Sequence, residues 1–347
     1  MLVEAVPDRV LASCLFDSVG WLRQWAKTPI EQCRQRRYAV VEQGLPGSYE
    51  VLPVALVRHS PFWFGYERQT GVAPLSESDI TFAGSTYSMY SKRGAVPARL
   101  IRDAYDQARI WSAAGWTDLL VVPNITSSGV DSWIAEVGEP AGQVLLDRTY
   151  HAELTGSYAD YLLRLDNKVR RDTQRRLRRS AERGLRIRLL SPDAARFRVR
   201  AALPLTVGTT DEHSWPPLYD EETLHGLLSV PGATMAVAEV DDRLIGVFFG
   251  FVHGDEVTFL CGGVDYQSLR DFSTYVALMY GCVEWAYANG LKRVEWGRDN
   301  YRFKERHGLT GVDLWALVYD FTADPQRRRK LARMRSELIA YIDGRPA

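Results

Sequence analysis

The chain alternates between runs whose apolar residues recur every three or four positions and runs in which they recur every second position. "SVGWLRQWAK" places Trp21, Leu22 and Trp25 on one face and predicts a helix. "RYAVVEQ" and "YEVLPVALVRH" read as strands separated by the turn-forming "GLPGS". In "ARLIRDAYDQARIWSAAGW", Leu100, Ile101, Ala104, Ala108 and Trp111 recur near the helical period, and Gly115 supplies a stop. "TDLLVVPNI" follows as a buried strand, and a first unit ends near "GQVLLDRTYHAEL", at about residue 150.

A second unit repeats the alternation. "SYADYLLRL" leads into an arginine-rich helix taken as Leu163–Arg183 and closed by Gly184, followed by the strand "LRIRLL". A helix covers the 190s, and the polar, proline-containing "TVGTTDEHSWPPLYDEE" reads as a loop. "ATMAVAEVDDRLIGVFFGFVHGDEVTFLCGGV" holds three alternating runs joined by "DDR" and "HGDE", which predicts an antiparallel meander. A long helix ending in Asn289-Gly290 comes next, then the strand "KRVEWG", the loop "RDNYRFKERHGL" and the strand "LWALVYDF". After Pro325 the tail is an amphipathic helix. The expected organisation is an α/β (α+β) chain with domains at 1–150 and 151–322, helix 325–347 packing back on the first.

Composition narrows the function classes. A length of 347 residues fits about two domains, and 46% hydrophobic residues suffice for sizeable cores. Lys and Arg number 43 against 43 Asp and Glu, so the chain is not one that coats DNA or RNA along its whole length. Four scattered cysteines without a CxxC pair predict neither a disulfide framework nor a metal site. No window approaches the roughly 18 apolar residues of a membrane span. The N-terminal "MLVEAVPDRV" lacks a basic region followed by an apolar run, and the expected location is the cytoplasm.

Against this neutrality, "LDNKVRRDTQRRLRRSAERGLRIR" concentrates positive charge. At 100° per residue Arg164, Lys168, Arg171, Arg175, Arg178 and Arg179 form one stripe. Leu162, Val169, Thr173, Leu177 and Ala181 lie opposite, with Asp172 and Glu182 off the stripe. Like charges at this spacing repel by a few tenths of a kcal/mol per pair. Three readings stay open: a solvated face, a face that meets phosphate, and a face paired with the acidic stretch around Asp220–Glu222.

The order helix, meander, long helix, strand, strand, together with "DNKVRRDTQRRLRRSAERGLRI" and "VEWGRDNYRFKERHGL", resembles the Fem-type aminoacyltransferases of the GNAT superfamily over residues 150–320. That resemblance implies two tandem GNAT-like domains, each a mixed, mostly antiparallel sheet flanked by helices. It implies transfer of an amino acid from aminoacyl-tRNA, with no cofactor beyond the co-substrate, to an amine of a small molecule or a peptidoglycan precursor, and antibiotic biosynthesis is an expected setting. It also gives Lys304, between Gly297 and Gly308, the role of neutralising charge at the ester carbonyl or a nearby phosphate.

Acyl-CoA is the alternative donor, and a non-catalytic RNA- or partner-binding module is the rival from another class. Acyl-CoA enzymes of the superfamily present a glycine-rich turn at a helix N-terminus. Here Gly262 and Gly263 are followed instead by Ser268, Arg270, Asp271, Ser273 and Thr274. Arg270 and Ser273 are candidate phosphate contacts, Asp271 opposes one, and Asp271 or Ser273 is equally a helix cap.

Amide formation needs a deprotonated amine, a stabilised oxyanion and aligned reactants, without a protein nucleophile. The absence of GxSxG and of a Cys–His pair fits that chemistry. Candidate proton acceptors are Glu212 and His213 in the proline-containing loop and Asp265 after the glycines. Asp211 and Trp215 are placed in the acceptor pocket, Arg298 shares the electrostatic role of Lys304, and Tyr301 is a hydrogen-bond donor to the intermediate.

Overall fold

The computed structural model describes residues 1–28, 30–212, 215 and 218–344. They divide into two units, Met1–Arg148 with Val312–Ala347, and Thr149–Gly311. The first unit begins with β1 (Leu2–Val3), α1 (Val19–Trp25), β2 (Gln32–Glu42), β3 (Tyr49–His59) and α2 (Pro61–Gln69). It continues with β4 (Asp79–Ala83), α3 (Ala98–Ala113), β5 (Thr117–Ile125), α4 (Ser127–Val137) and the first part of β6 (Gly142–Glu153). Its strands β1 to β4 pair antiparallel, and β4 then pairs parallel with β5 across the helix α3. In α3 the expected face is the buried one, Leu100, Ile101, Ala104, Ala108 and Trp111, and Gly115 ends the helix at φ 73°.

The second unit opens with α5 (Tyr158–Leu163) and α6 (Asn167–Glu182), then β7 (Arg186–Leu190), α7 (Pro192–Arg196), α8 (Val199–Glu212) and α9 (Glu221–Leu227). The meander is β8 (Ala233–Val240), β9 (Arg243–His253) and β10 (Glu256–Val264). It is followed by α10 (Leu269–Phe272), α11 (Thr274–Ala288), β11 (Arg293–Glu295) and α12 (Tyr301–Arg306). The chain closes with β12 (Thr310–Asp320), most of which belongs to the first unit and pairs with β5, and α13 (Pro325–Ile342). Strands β7 to β10 are antiparallel, β10 pairs parallel with β11 across α11, and β11 pairs with the end of β6. Both units therefore run antiparallel strands into one parallel pair spanned by a helix. Among the described residues no helix is long and apolar enough to cross a membrane.

Four sequence expectations are corrected. The arginine-rich helix is not continuous from Leu163, because Asp166 caps α6 by accepting from the amides of Lys168 and Val169. Asp211 and Glu212 are not in a loop but end α8, which runs through Pro204. The helix after the meander is split, with Ser273 at φ 46° between α10 and α11. The stretch read as a loop before the last strand contains α12.

The parallel pair of the second unit is short. Only Glu256, Val257 and Thr258 face partners on β11, while β10 continues to Val264. A bulge between Phe259 and Cys261 shifts the β9 register and bends the same strand, a device common beside active sites. The two strands thus leave a notch, while Leu278, Val283, Val257 and Val294, all fully buried, belong to the core of this unit. On the adjoining side α8 lies close to β10 because Gly263 has no side chain: a Cβ there would stand 2.1 Å from the carbonyl oxygen of Leu205. Gly263→Ala is expected to cost about 1–3 kcal/mol by overpacking, read from the urea midpoint. Gly208→Ala, on a part of α8 with open space around it, is the control and leaves the midpoint equal or slightly raised.

Candidate active site

The notch holds a cavity of about 190 Å³. Phe259, Cys261, Gly262 and Gly263 of β10 line one side, and Trp296 and Arg298–Asn300, after β11, line the other. Trp296 stacks on Phe259 with ring centroids 5.0 Å apart, which fixes one wall. A larger cavity of about 670 Å³ shares Val264, Tyr266, Tyr275 and Asn300 with the notch. Its walls carry Arg175, Arg176 and Arg179 from α6, Arg270 from α10, and Ser273. Four arginines from two elements converge on one space, with Glu212 and Asp271 as the acidic residues of the lining.

Tyr275 stands at the junction of the two cavities. Burial pushes its hydroxyl up to about 12, against the smaller opposing effect of a hydrogen bond with Asn300. It is therefore a neutral phenol throughout the physiological range and a hydrogen-bond donor.

The stretch after β11 is wound unusually tightly. Gly297, Asp299 and Asn300 all have positive φ, at 68°, 60° and 53°. Lys304, 1% exposed, lies within this winding. Its ammonium donates to the carbonyls of Trp296 at 3.0 Å, Gly297 at 2.9 Å and Arg298 at 2.5 Å, and stands 5.6 Å from the centre of the Tyr150 ring. The expectation of a loop residue is corrected, because Lys304 belongs to α12; it lines the notch as well as donating to the three carbonyls at its edge.

The remaining sequence candidates separate. Arg298 lines the notch, and Arg270, Ser273, Arg175, Arg179 and Glu212 line the larger cavity. Lys168 and Arg171 line neither of these, and Arg178 is exposed, 3.9 Å from Glu182. Asp172 was expected off the basic stripe, yet it pairs with Arg175 and Arg176, at i+3 and i+4. Asp265 accepts from Ser268 at 2.7 Å and from the Gln267 amide, with Arg243 at 3.2 Å. Those contacts, Ser268 foremost, hold its carboxyl below the usual range, which makes it a turn-former and a poor base.

Tyr301 begins α12 and packs 6.2 Å from the Tyr150 ring, away from both cavities. Asp211 and Trp215 line neither cavity, and His213 lies outside the described residues. Asp271, expected to repel phosphate, is 3.5 Å from Arg183. Sequence reasoning missed Arg176, whose signal was its i+4 spacing from Asp172, and Tyr275, which reads as core.

His307 is buried behind α12, its Nδ1 2.6 Å from the Tyr280 hydroxyl. Burial first, then the charges of Arg306 and Arg176, push it from the ordinary 6.5 down to about 4. A group depressed in the fold contributes stability that is present above its unfolded pKa and lost as pH falls through the folded one. Between pH 6.5 and 4 His307 is therefore expected to remove roughly 2–3 kcal/mol, seen as a falling urea midpoint that His307→Gln flattens.

Residues 167–305 match the acetyltransferase (GNAT) domain family. No curated protein sequence matches the chain. Among solved structures, FemX is similar with a TM-score of 0.57 at 10% identity, covering 88% of this chain and 92% of that one. The C-terminal domain of a putative lysylphosphatidylglycerol synthetase from Agrobacterium fabrum is similar at 0.56 and 12% identity, covering 87% and 89%. The L-PGS of Bacillus licheniformis is similar at 0.54 and 11% identity, covering 90% of each chain. With the short parallel pair, the bulged fourth strand of the second unit and the matched domain taken together, residues 167–305 carry a GNAT acyltransferase domain, in a chain that shares its fold with FemX.

Proposed function

We propose that the chain forms an amide by moving an aminoacyl group from aminoacyl-tRNA to the amine of a small molecule or peptidoglycan precursor. The observation that carries this is the convergence of Arg175, Arg176, Arg179 and Arg270 on a cavity that opens into the strand notch. A polyanionic donor end held by the arginines would bring its ester carbonyl to the junction at Tyr275. The amine nitrogen attacks that carbon, the carbonyl pair moves to oxygen, and collapse expels the ribose hydroxyl with the proton given up by the amine. Tyr275 supplies a neutral O–H at the junction, and the wound backbone edge held by Lys304 fixes the opposite wall. Alignment alone is worth several kcal/mol in such two-substrate reactions. A lysylphosphatidylglycerol synthetase, by its name, makes an aminoacyl ester, and the shared fold is in keeping with an aminoacyl donor.

Acyl-CoA is the second reading, supported by the acetyltransferase domain that residues 167–305 match. The side chains from Ser268 to Ser273, where a glycine-rich turn would otherwise cradle pyrophosphate, weigh against it. Calorimetric titration with deacylated tRNA and with acetyl-CoA separates the two. The aminoacyl-tRNA reading expects tRNA to bind below millimolar with a steep salt dependence and acetyl-CoA not to bind; the reverse pattern overturns it.

A further inference from the structure

A third cavity, of about 460 Å³, lies between α6 and the C-terminal end of α12. Lys168, Arg171 and Arg175 reach it from α6, and Arg306 and His307 from the other side, with Asp172 as its acidic residue. The acid's charge is already engaged, one oxygen 2.5 Å from Arg175 and the other 2.7 Å from Arg176. Among the described residues Lys168, Arg171 and Arg306 make no ion pair. Three unpaired cations around one concavity repel one another unless an anion joins them. His307 adds no charge to that sum, since it stays neutral above about pH 4, and its ring is held by Tyr280.

This cavity is not isolated, because Arg175 lines both it and the donor cavity. From Lys168 to Arg179 the cations extend along about 16 Å of helix, more than one diphosphate covers. We infer that the Lys168–Arg171–Arg306 cavity is a second phosphate site, taking a backbone phosphodiester of the RNA strand whose acylated end occupies the donor cavity. The inference rests on the aminoacyl-tRNA reading and adds a length requirement to it: the donor must continue past Arg175.

The test titrates deacylated tRNA against the wild type, the Arg171→Ala/Arg306→Ala double variant and a control double variant, Arg170→Ala/Arg178→Ala. Arg171, Arg178 and Arg306 are exposed and Arg170 is half-buried, and the control pair lies on α6 but lines neither cavity. The first double is expected to weaken tRNA about tenfold and to lower the salt slope of log K by about 0.7, the value for one single-strand phosphate contact. The control is expected to change affinity less than about twofold. Equal losses in the two doubles, or none in the first, overturn the second site while leaving the donor reading intact. A wild type that binds acetyl-CoA and not tRNA removes the donor reading and the second site with it.

Discussion

Replacing Lys304 with alanine is expected to abolish turnover and to lower stability by about 3–5 kcal/mol at the same time. Three backbone carbonyls would lose their donor inside a buried site, and an unsatisfied buried acceptor costs about 1–3 kcal/mol. The lysine also sustains a backbone that would otherwise relax: Asp299 and Asn300 lack the freedom of glycine at positive φ, and each is strained there by about a kcal/mol or more. Without the ammonium the edge of the notch loses its shape, so activity and stability fall together. Lys304→Met, which keeps the aliphatic packing, is expected to give the same paired loss. Lys304→Arg is expected to retain part of the stability, because a guanidinium still donates but is too broad for a site this closed. The measurements are initial rate and urea midpoint. A lysine that met only the donor would lose rate in the alanine variant with an unchanged midpoint, and that result would overturn the carbonyl-staple account.

The fold was legible where local pattern and tertiary contact agree. The meander appears where alternation and its two polar turns placed it, and α3 buries the face its spacing predicted. Expectations failed where a single residue's backbone bonding decided the outcome. One helix ends at Leu163 and Asp166 caps the next, a break that the run of helix-forming residues around it conceals. Ser273 interrupts a helix by its left-handed backbone, with no side-chain cap bond to announce it. The stretch from Tyr301 to Arg306 is too short and too polar to show a helical period, and its stability comes from Lys304 reaching back to the strand end.

The site was legible in kind and not in arrangement. Lysine is ordinarily a surface residue, so a sequence offers no sign that Lys304 is buried on carbonyls. The basic stripe looked uniform, but the fold divides it. Arg175 and Arg179 meet Arg270, nearly a hundred positions further on, while Lys168 and Arg171 meet Arg306. Asp172, which spacing placed off the stripe, pairs with both Arg175 and Arg176, two residues that line the larger cavity. Such groupings depend on which elements the sheet brings side by side, and no local period encodes them. Tyr275 shows the same limit from the other side: on an apolar helix it reads as core, yet in the fold it lines both cavities beyond the short β10–β11 pairing.

Removing the three donor-cavity guanidinium groups of Arg176, Arg179 and Arg270 together, each to alanine, is expected to weaken the donor at least about a hundredfold at low salt. A charge-assisted contact is worth about 1.5–3 kcal/mol when desolvated and less in an open cavity, so about 1 kcal/mol each is a low bound. On a single-stranded donor end the slope of log K against log salt is expected to fall by about 2, at about 0.7 per contact. Stability should barely change, since all three side chains are exposed and the Arg176–Asp172 pair is a surface contact. With donor at saturation the rate should largely recover, because arginines that grip phosphate away from the ester bind ground and transition states alike. Steady-state rates at varied donor and two salt concentrations check all of this. A raised KM that converges with the wild type at high salt marks these arginines as donor contacts. An unchanged KM would make the four converging guanidinium groups a solvated face, and the aminoacyl-tRNA reading would lose the observation on which it stands.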